Sequence, residues 1–209
     1  MCGIIGYIGQ AEATPILMDG LRRLEYRGYD SAGIALLSDG KMEIRKRAGR
    51  INNLAQLIQQ DAPRGTIGLG HTRWATHGGV TDANAHPHLD QSGKLALIHN
   101  GVIENYQSIR DQLINQGHQF RTETDTEVLA HLIGRIFDSK KGEKSKGDLL
   151  EALREALKQV NGTYGLALLH VDLPDVVLAA RRGSPLILGI GKGQNFIVSD
   201  VSAIVGHTR

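Results

Sequence analysis

Three features of this 209-residue chain predict an α+β fold in which antiparallel sheets are covered by helices. The chain opens with an apolar strand pattern followed at once by a helical one. An Asp39-Gly40 pair joins two strand-like runs. Four apolar runs near the end, 164–170, 175–180, 186–190 and 195–199, are separated by short turn signals and read as an antiparallel meander. No self-similarity at a period of roughly 20 to 50 residues is present, which excludes a solenoid. The size and near-average composition fit one large domain spanning 1–209.

Taken in order, Gly3 to Gly9 alternates small and apolar residues as a buried strand does, and Ile16, Leu17, Leu21 and Leu24 then recur at helical spacing. Tyr26 to Asp30 is a turn. It leads to an apolar strand from Ala32 to Leu37, the two-residue hairpin signal Asp39-Gly40, and a strand from Lys41 to Ala48. Asn53 is positioned to cap a short helix through Gln60, and a strand follows from Thr66 to Thr72. Between Arg73 and Leu89 the periodicity vanishes. Long irregular loops are uncommon unless they serve a function. The run Leu95 to Ile98 is a buried strand that delivers His99-Asn100-Gly101 at its end. Helices are then expected at Tyr106 to Gln116, stopped by Gly117, from Thr124 through Phe137, and at Asp148 to Val160. The Lys-, Ser- and Gly-rich stretch from Asp138 to Gly147 reads as a surface loop.

Composition narrows the function classes. A net charge of +2, with no basic block and no interleaved aromatics, gives no nucleic-acid surface. The single cysteine cannot form an internal disulfide. Neither a leader nor an apolar stretch of about 18 residues is visible, so a cytoplasmic protein without a membrane span is expected.

That one cysteine stands at position 2, directly behind Met1. Removal of Met1 would place a thiol and a free α-amine on the same residue, a nucleophile beside a base whose ordinary pKa is about 7.7–8.0. Nucleophiles activated by an N-terminal amine are an established catalytic arrangement. The alternative is a small buried hydrophobe at a strand start. Asn100-Gly101 offers a side-chain amide and a flexible backbone N–H, the parts of an oxyanion hole; the alternative is a hairpin turn. Arg73 could fork onto a carboxylate or stack on Trp74, the chain's only tryptophan. Thr124 and Glu127 form a capping-box pattern, and Asp125 between them is either part of a helix start or a partner for a substrate ammonium.

His71, His77, His86 and His88 form the best metal candidate, because alternate residues of an extended segment share a face. A zinc hydrolase is therefore the first rival reading, although HExxH is absent and no carboxylate has ligand spacing. The glycines at 183, 189, 191 and 193 complete neither G-x-G-x-x-G nor GxxxxGK[ST] and read as turns.

With Cys2, Arg73, Asn100 and Asp125 identified, the chain resembles the class II glutamine amidotransferases, and in particular the glutaminase domains of glutamine:fructose-6-phosphate aminotransferases. The resemblance is carried by Cys2 to Gly6, Arg23 to Gly33, His71 to Gly78, Asn84 to His88, His99 to Gly101 and Thr124 to Glu127. It implies an N-terminal nucleophile hydrolase fold, two stacked antiparallel sheets between helical layers (αββα), with no cofactor and no metal. It further implies that Cys2 attacks the side-chain amide of L-glutamine while Asn100 and Gly101 hold the oxyanion. Arg73 would take the α-carboxylate and Asp125 the α-ammonium; Thr76 and His77 would line the pocket. Trp74 would stand at an ammonia exit, and Arg27 would support the closing loops. A noncatalytic glutamine-binding module on the same fold is the other rival. Family enzymes continue into domains that bind fructose 6-phosphate and work as oligomers. The chain as given is therefore expected to show glutaminase chemistry at most, with a sheet edge uncovered where the domain would continue. If Met1 is retained, an assembled site that does not turn over is expected, because an acylated nitrogen is not a base.

Overall fold

A computed structural model describes residues 2–207, so the processing of Met1 lies outside the described residues. Ten strands and five α-helices follow in the order β1 (Gly3–Ile8), α1 (Ala13–Arg23), β2 (Ser31–Ser38), β3 (Lys41–Ala48), α2 (Ile51–Gln60), β4 (Ile67–Arg73), β5 (His88–Leu89), β6 (Leu95–Ile103), α3 (Tyr106–Asn115), α4 (Asp125–Ser139), α5 (Lys146–Lys158), β7 (Gly162–His170), β8 (Leu178–Arg182), β9 (Ile187–Gly191) and β10 (Gln194–Val198). They build a six-stranded sheet, β3-β2-β4-β1-β10-β9, and a four-stranded sheet, β5-β6-β7-β8. Neighbouring strands within each sheet are antiparallel.

Three apolar clusters make four layers. Ile5, Tyr7 and Ile34 pack with Leu17, Leu21 and Leu54, joining α1 and α2 to the six-stranded sheet. Leu95, Leu97 and Leu166 pack with Val128, Ile133 and Leu153, joining α3, α4 and α5 to the four-stranded sheet. Ile4, Ile67, Leu69, Ile98, Ala167 and Leu169 fill the space between the sheets. The αββα sandwich is thus present. It also explains why β1 reads as a continuous apolar run, since both of its faces are covered and neither can be polar.

Several boundaries differ from expectation for local reasons. The helix α2 starts two residues before Asn53, which sits in its first turn and donates through Nδ2 to the Ala48 carbonyl at 3.2 Å instead of capping. The helix α5 starts at Lys146, because Ser145 and Asp148 form a reciprocal capping box. At α4, Thr124 does cap the Glu127 N–H at 3.2 Å. Glu127 does not complete the box: its carboxylate reaches past Thr124 to the N–H groups of Arg121 and Thr122, both at 2.8 Å.

Two larger corrections concern topology. The C-terminal runs do not form one meander: β7 pairs with β8 in one sheet and β9 with β10 in the other, the chain changing sheets across Gly183-Ser184-Pro185. Asn100 and Gly101 do not end their strand. They lie within β6, opposite Gly165 and Tyr164 of β7, which removes the hairpin alternative. None of the described helices is long and apolar enough to cross a membrane.

Candidate functional site

The period of two along each strand decides which side chains reach the site. Ile4 faces the inter-sheet core, and so Cys2 does too; Ile67 and Leu69 face it, and so do His71 and Arg73; Ile98 faces it, and so does Asn100. At this end of the sandwich the apolar filling gives way to Cys2, His71, Arg73 and Asn100. A small cavity there is lined by Cys2, Arg73, Trp74, Thr76, Gly101 and Asp125, with His86, His99, Thr124 and Thr126 completing its wall.

Cys2 Sγ accepts the Trp74 N–H at 3.1 Å and donates to the Trp74 carbonyl at 3.6 Å. Burial pushes the thiol pKa up, opposed by the Trp74 N–H and the Arg73 charge. Asn100 Nδ2 donates to the Cys2 carbonyl at 3.2 Å, and Asn100 Oδ1 faces His71 Nε2 at 2.9 Å. Asp125, in the first turn of α4 where the helix dipole favours an anion, accepts the Ile103 N–H at 2.9 Å. His99 lies 3.9 Å from the same carboxylate oxygen, and burial lowers its pKa.

The 73–84 segment is fixed by side chains instead of a ladder. The Arg73 guanidinium is buried and donates to the carbonyls of His77, Gly78 and Gly79. Asp30 accepts the Ala75 N–H at 2.5 Å, and Glu123 and Asn84 strap Gly79 from the far side. Lys46 Nζ donates to the carbonyls of Ala83 and Ala85, each at 2.8 Å, where burial lowers its pKa to about 8. In this state the cavity measures about 10 Å³, room for about one water.

The structure brings Cys2, Arg73, Trp74, Thr76, Asn100, Gly101 and Asp125 together. Two predicted residues sit elsewhere. His77 contributes its carbonyl to Arg73, while its ring packs edge-on against Tyr106 at 4.8 Å. Arg27 is paired with Asp200 at 3.1 Å, a carboxylate held down to about 2 chiefly by the Tyr26 hydroxyl. Trp74 is 56% exposed at the rim, its ring against Gly28. The zinc reading fails on geometry. The His71 and His86 rings stack at 4.1 Å, His88 meets His86 edge-on at 4.7 Å, and among the described residues no group of three His, Cys, Asp or Glu side chains is arranged to hold a metal. Sequence reasoning missed Asp30 and Glu123 as loop anchors. An acidic residue inside an otherwise unpatterned turn is the only signal Asp30 carries.

A family model described as "Glutamine amidotransferase domain" matches residues 55–209. The chain belongs to the glutamine amidotransferase domain family. The family match begins after Cys2, but two curated relatives align over all 209 residues. These are the glutamine--fructose-6-phosphate aminotransferases [isomerizing] of Caldanaerobacter subterraneus subsp. tengcongensis, 54% identical, and of Thermus thermophilus, 53% identical. The chain spans 33% of the length of each. Among solved structures, the glutamine phosphoribosylpyrophosphate amidotransferase from B. subtilis superimposes over 99% of this chain and 44% of its own, with a TM-score of 0.81 and 31% identity. A glutamine aminotransferase class-II domain protein from Silicibacter pomeroyi, at 17% identity, TM-score 0.61 and coverage of 94% and 88%, agrees with this amidotransferase domain in fold.

Proposed function

We propose that this amidotransferase domain hydrolyses L-glutamine to glutamate and ammonia through Cys2. The observation that carries the proposal is the convergence of Cys2, Arg73, Gly101 and Asp125 on one cavity, with the Asn100 amide bonded to the Cys2 residue itself. Cys2 Sγ attacks the side-chain carbonyl carbon, and the thiol proton passes to the Cys2 α-amine once Met1 has been removed. The Asn100 Nδ2–H and Gly101 N–H stabilise the tetrahedral oxyanion. Collapse breaks the C–N bond, the amine proton goes to the departing nitrogen, and ammonia leaves a thioester. Water then attacks the thioester, supplying hydroxyl to the acyl group and a proton, through the amine, to sulfur. Glutamate departs with the thiol restored.

Arg73 and Asp125 hold the α-carboxylate and α-ammonium, which selects free glutamine over glutamine within a peptide. For this to occur Arg73 exchanges its loop carbonyls for the carboxylate, and the 74–79 segment moves outward, since the cavity has no room for glutamine as it stands. Thr76 borders the substrate, His77 supports the Arg73 loop, Trp74 guards the route by which ammonia leaves, and Arg27 braces the Glu25–Arg27 turn against Asp200. The names of the relatives support a larger reaction. In it this domain, as one unit of a longer cytoplasmic enzyme, supplies ammonia for converting fructose 6-phosphate to glucosamine 6-phosphate in further domains.

Treatment of the processed chain with a diazoketone analogue of glutamine should give one adduct, on Cys2, and Cys2→Ala should abolish both the adduct and ammonia release. Ammonia release that survives Cys2→Ala would sink the proposal. Tight glutamine binding with no turnover in the processed chain would support the noncatalytic module instead.

A further inference from the structure

Asn100 can serve as an oxyanion donor in only one of its two amide orientations. A side-chain amide turned by half a rotation presents an acceptor oxygen where a donor nitrogen stood, and an acceptor repels a developing oxyanion. The chain settles the orientation from two sides. The Cys2 carbonyl only accepts, so the group 3.2 Å from it is Nδ2. The other amide atom is therefore Oδ1, and the ring nitrogen 2.9 Å away, His71 Nε2, is the donor.

This fixes the state of His71. Its ring is buried against His86 at 4.1 Å, and burial holds it neutral with a pKa of about 3, so at neutral pH it carries one N–H. Nε2 faces the Asn100 acceptor at 2.9 Å, while Nδ1 meets no acceptor in hydrogen-bond geometry among the described residues, although the His99 backbone also acts on the ring and favours its protonated form. The proton belongs on Nε2. Turning Asn100 over would bring its NH₂ against this N–H, donor against donor, at a fully buried ring where such a mismatch costs most. The stack from His71 through His86 to His88, whose Nε2 meets Thr124 Oγ1 at 3.2 Å, prevents the ring from swinging aside.

We infer that His71, in its Nε2–H tautomer, is a positioning residue that locks the Asn100 amide with its NH₂ toward the reacting carbonyl. The inference rests on the glutaminase reading above. His71 touches neither sulfur nor substrate and acts through Asn100 alone.

The full processed chain is assayed for ammonia release from glutamine alongside His71→Ala, His71→Gln, Asn100→Ala and the His71→Ala/Asn100→Ala double variant. Gln extends an N–H to about the place of Nε2. His71→Ala should lower kcat by about 10- to 100-fold, short of the roughly 10²–10³ expected for deleting an oxyanion donor, with KM changed less than about twofold. His71→Gln should restore kcat to within about fivefold of the unsubstituted chain, and His71→Ala should add less than about twofold to Asn100→Ala. An unchanged kcat in His71→Ala, additive losses in the double variant, or a loss confined to KM would each overturn the inference while leaving the glutaminase reading intact. An unsubstituted chain that releases no ammonia overturns both. Should His71→Ala fail to fold, long-range ¹H–¹⁵N correlation on the unsubstituted chain decides: an Nε2–H signature for His71 supports the lock, and an Nδ1–H signature refutes it.

Discussion

Asn100 and Gly101 sit mid-strand, laddered to Gly165 and Tyr164, whereas Trp74 to Gly79 leave the end of β4 and are held by Arg73, Asp30, Glu123 and Asn84. Both segments border the same cavity, yet one cannot shift without breaking a sheet and the other is fastened by bonds that a ligand can replace one at a time. Histidines reinforce the first wall by stacking; charged side chains tie down the second. The groups that must stay put during the proposed chemistry are on the laddered wall. The groups that must yield for glutamine to enter are on the tethered one.

Acid should break the laddered wall most severely. The unfolded chain protonates each histidine near pH 6.5, while burial keeps His71 neutral down to about 3 and His86 and His88 well below their ordinary value. Between those limits the unfolded state binds more protons, so the stability is fully present above pH 6.5 and declines as pH falls. Each such group contributes up to about 1.4 kcal/mol per pH unit, and the three together up to about 4 kcal/mol per pH unit. Urea midpoints measured at pH 7, 6 and 5 should fall steeply. Equal midpoints at pH 7 and 5 would show that the histidines are not held neutral.

A matched pair of substitutions compares the walls directly. Gly101 has φ 130°, and a β-carbon there would lie 2.2 Å from the Thr163 carbonyl oxygen, part of a ladder with nowhere to go. Gly78 has φ 74°, and its nearest neighbours would be the side chains of Asn84 and Glu123, at 2.8 and 2.9 Å, which can move. Gly101→Ala is therefore expected to cost at least about 3 kcal/mol and Gly78→Ala about 1 kcal/mol, read from denaturant unfolding. Similar costs at the two positions would contradict the contrast.

The smallest effect concerns the tether alone. Glu123→Ala removes the acceptor for the Gly79 N–H and the Asn84 amide without touching either sheet. Cleavage within 78–82 by a nonspecific protease should accelerate several-fold while Tm stays within about 2 °C. Unchanged cleavage would mean that the remaining anchors, Arg73, Asp30, Lys46, Asp82 and Asn84, hold the loop without Glu123.

The contrast also marks how far the sequence was legible. Cys2 stood out because a lone thiol directly behind Met1 would carry its own base once that residue is removed, and Asp39-Gly40, with φ 47° and 73°, encodes its hairpin locally. The loop after Arg73 was visible as lost periodicity, but its anchors were not: Glu123 lies 44 residues from the N–H it receives. By its neighbours alone Asn100-Gly101 reads as a strand end, because Asn-Gly marks turns; the pairing with β7, more than 60 residues on, overrides that preference.

By itself, then, the sequence determined the order of the elements, apart from the two-residue β5 hidden at the end of an unpatterned loop, and the chemical types brought to the site, since strand and helix periods, caps and turns act over a few residues. Only the tertiary structure decided that the C-terminal strands divide between two sheets and that His71, a metal candidate by spacing, stacks on His86 and faces Asn100. These outcomes depend on which faces bury against each other across the sandwich, and inter-sheet packing joins residues whose separation along the chain carries no local signal.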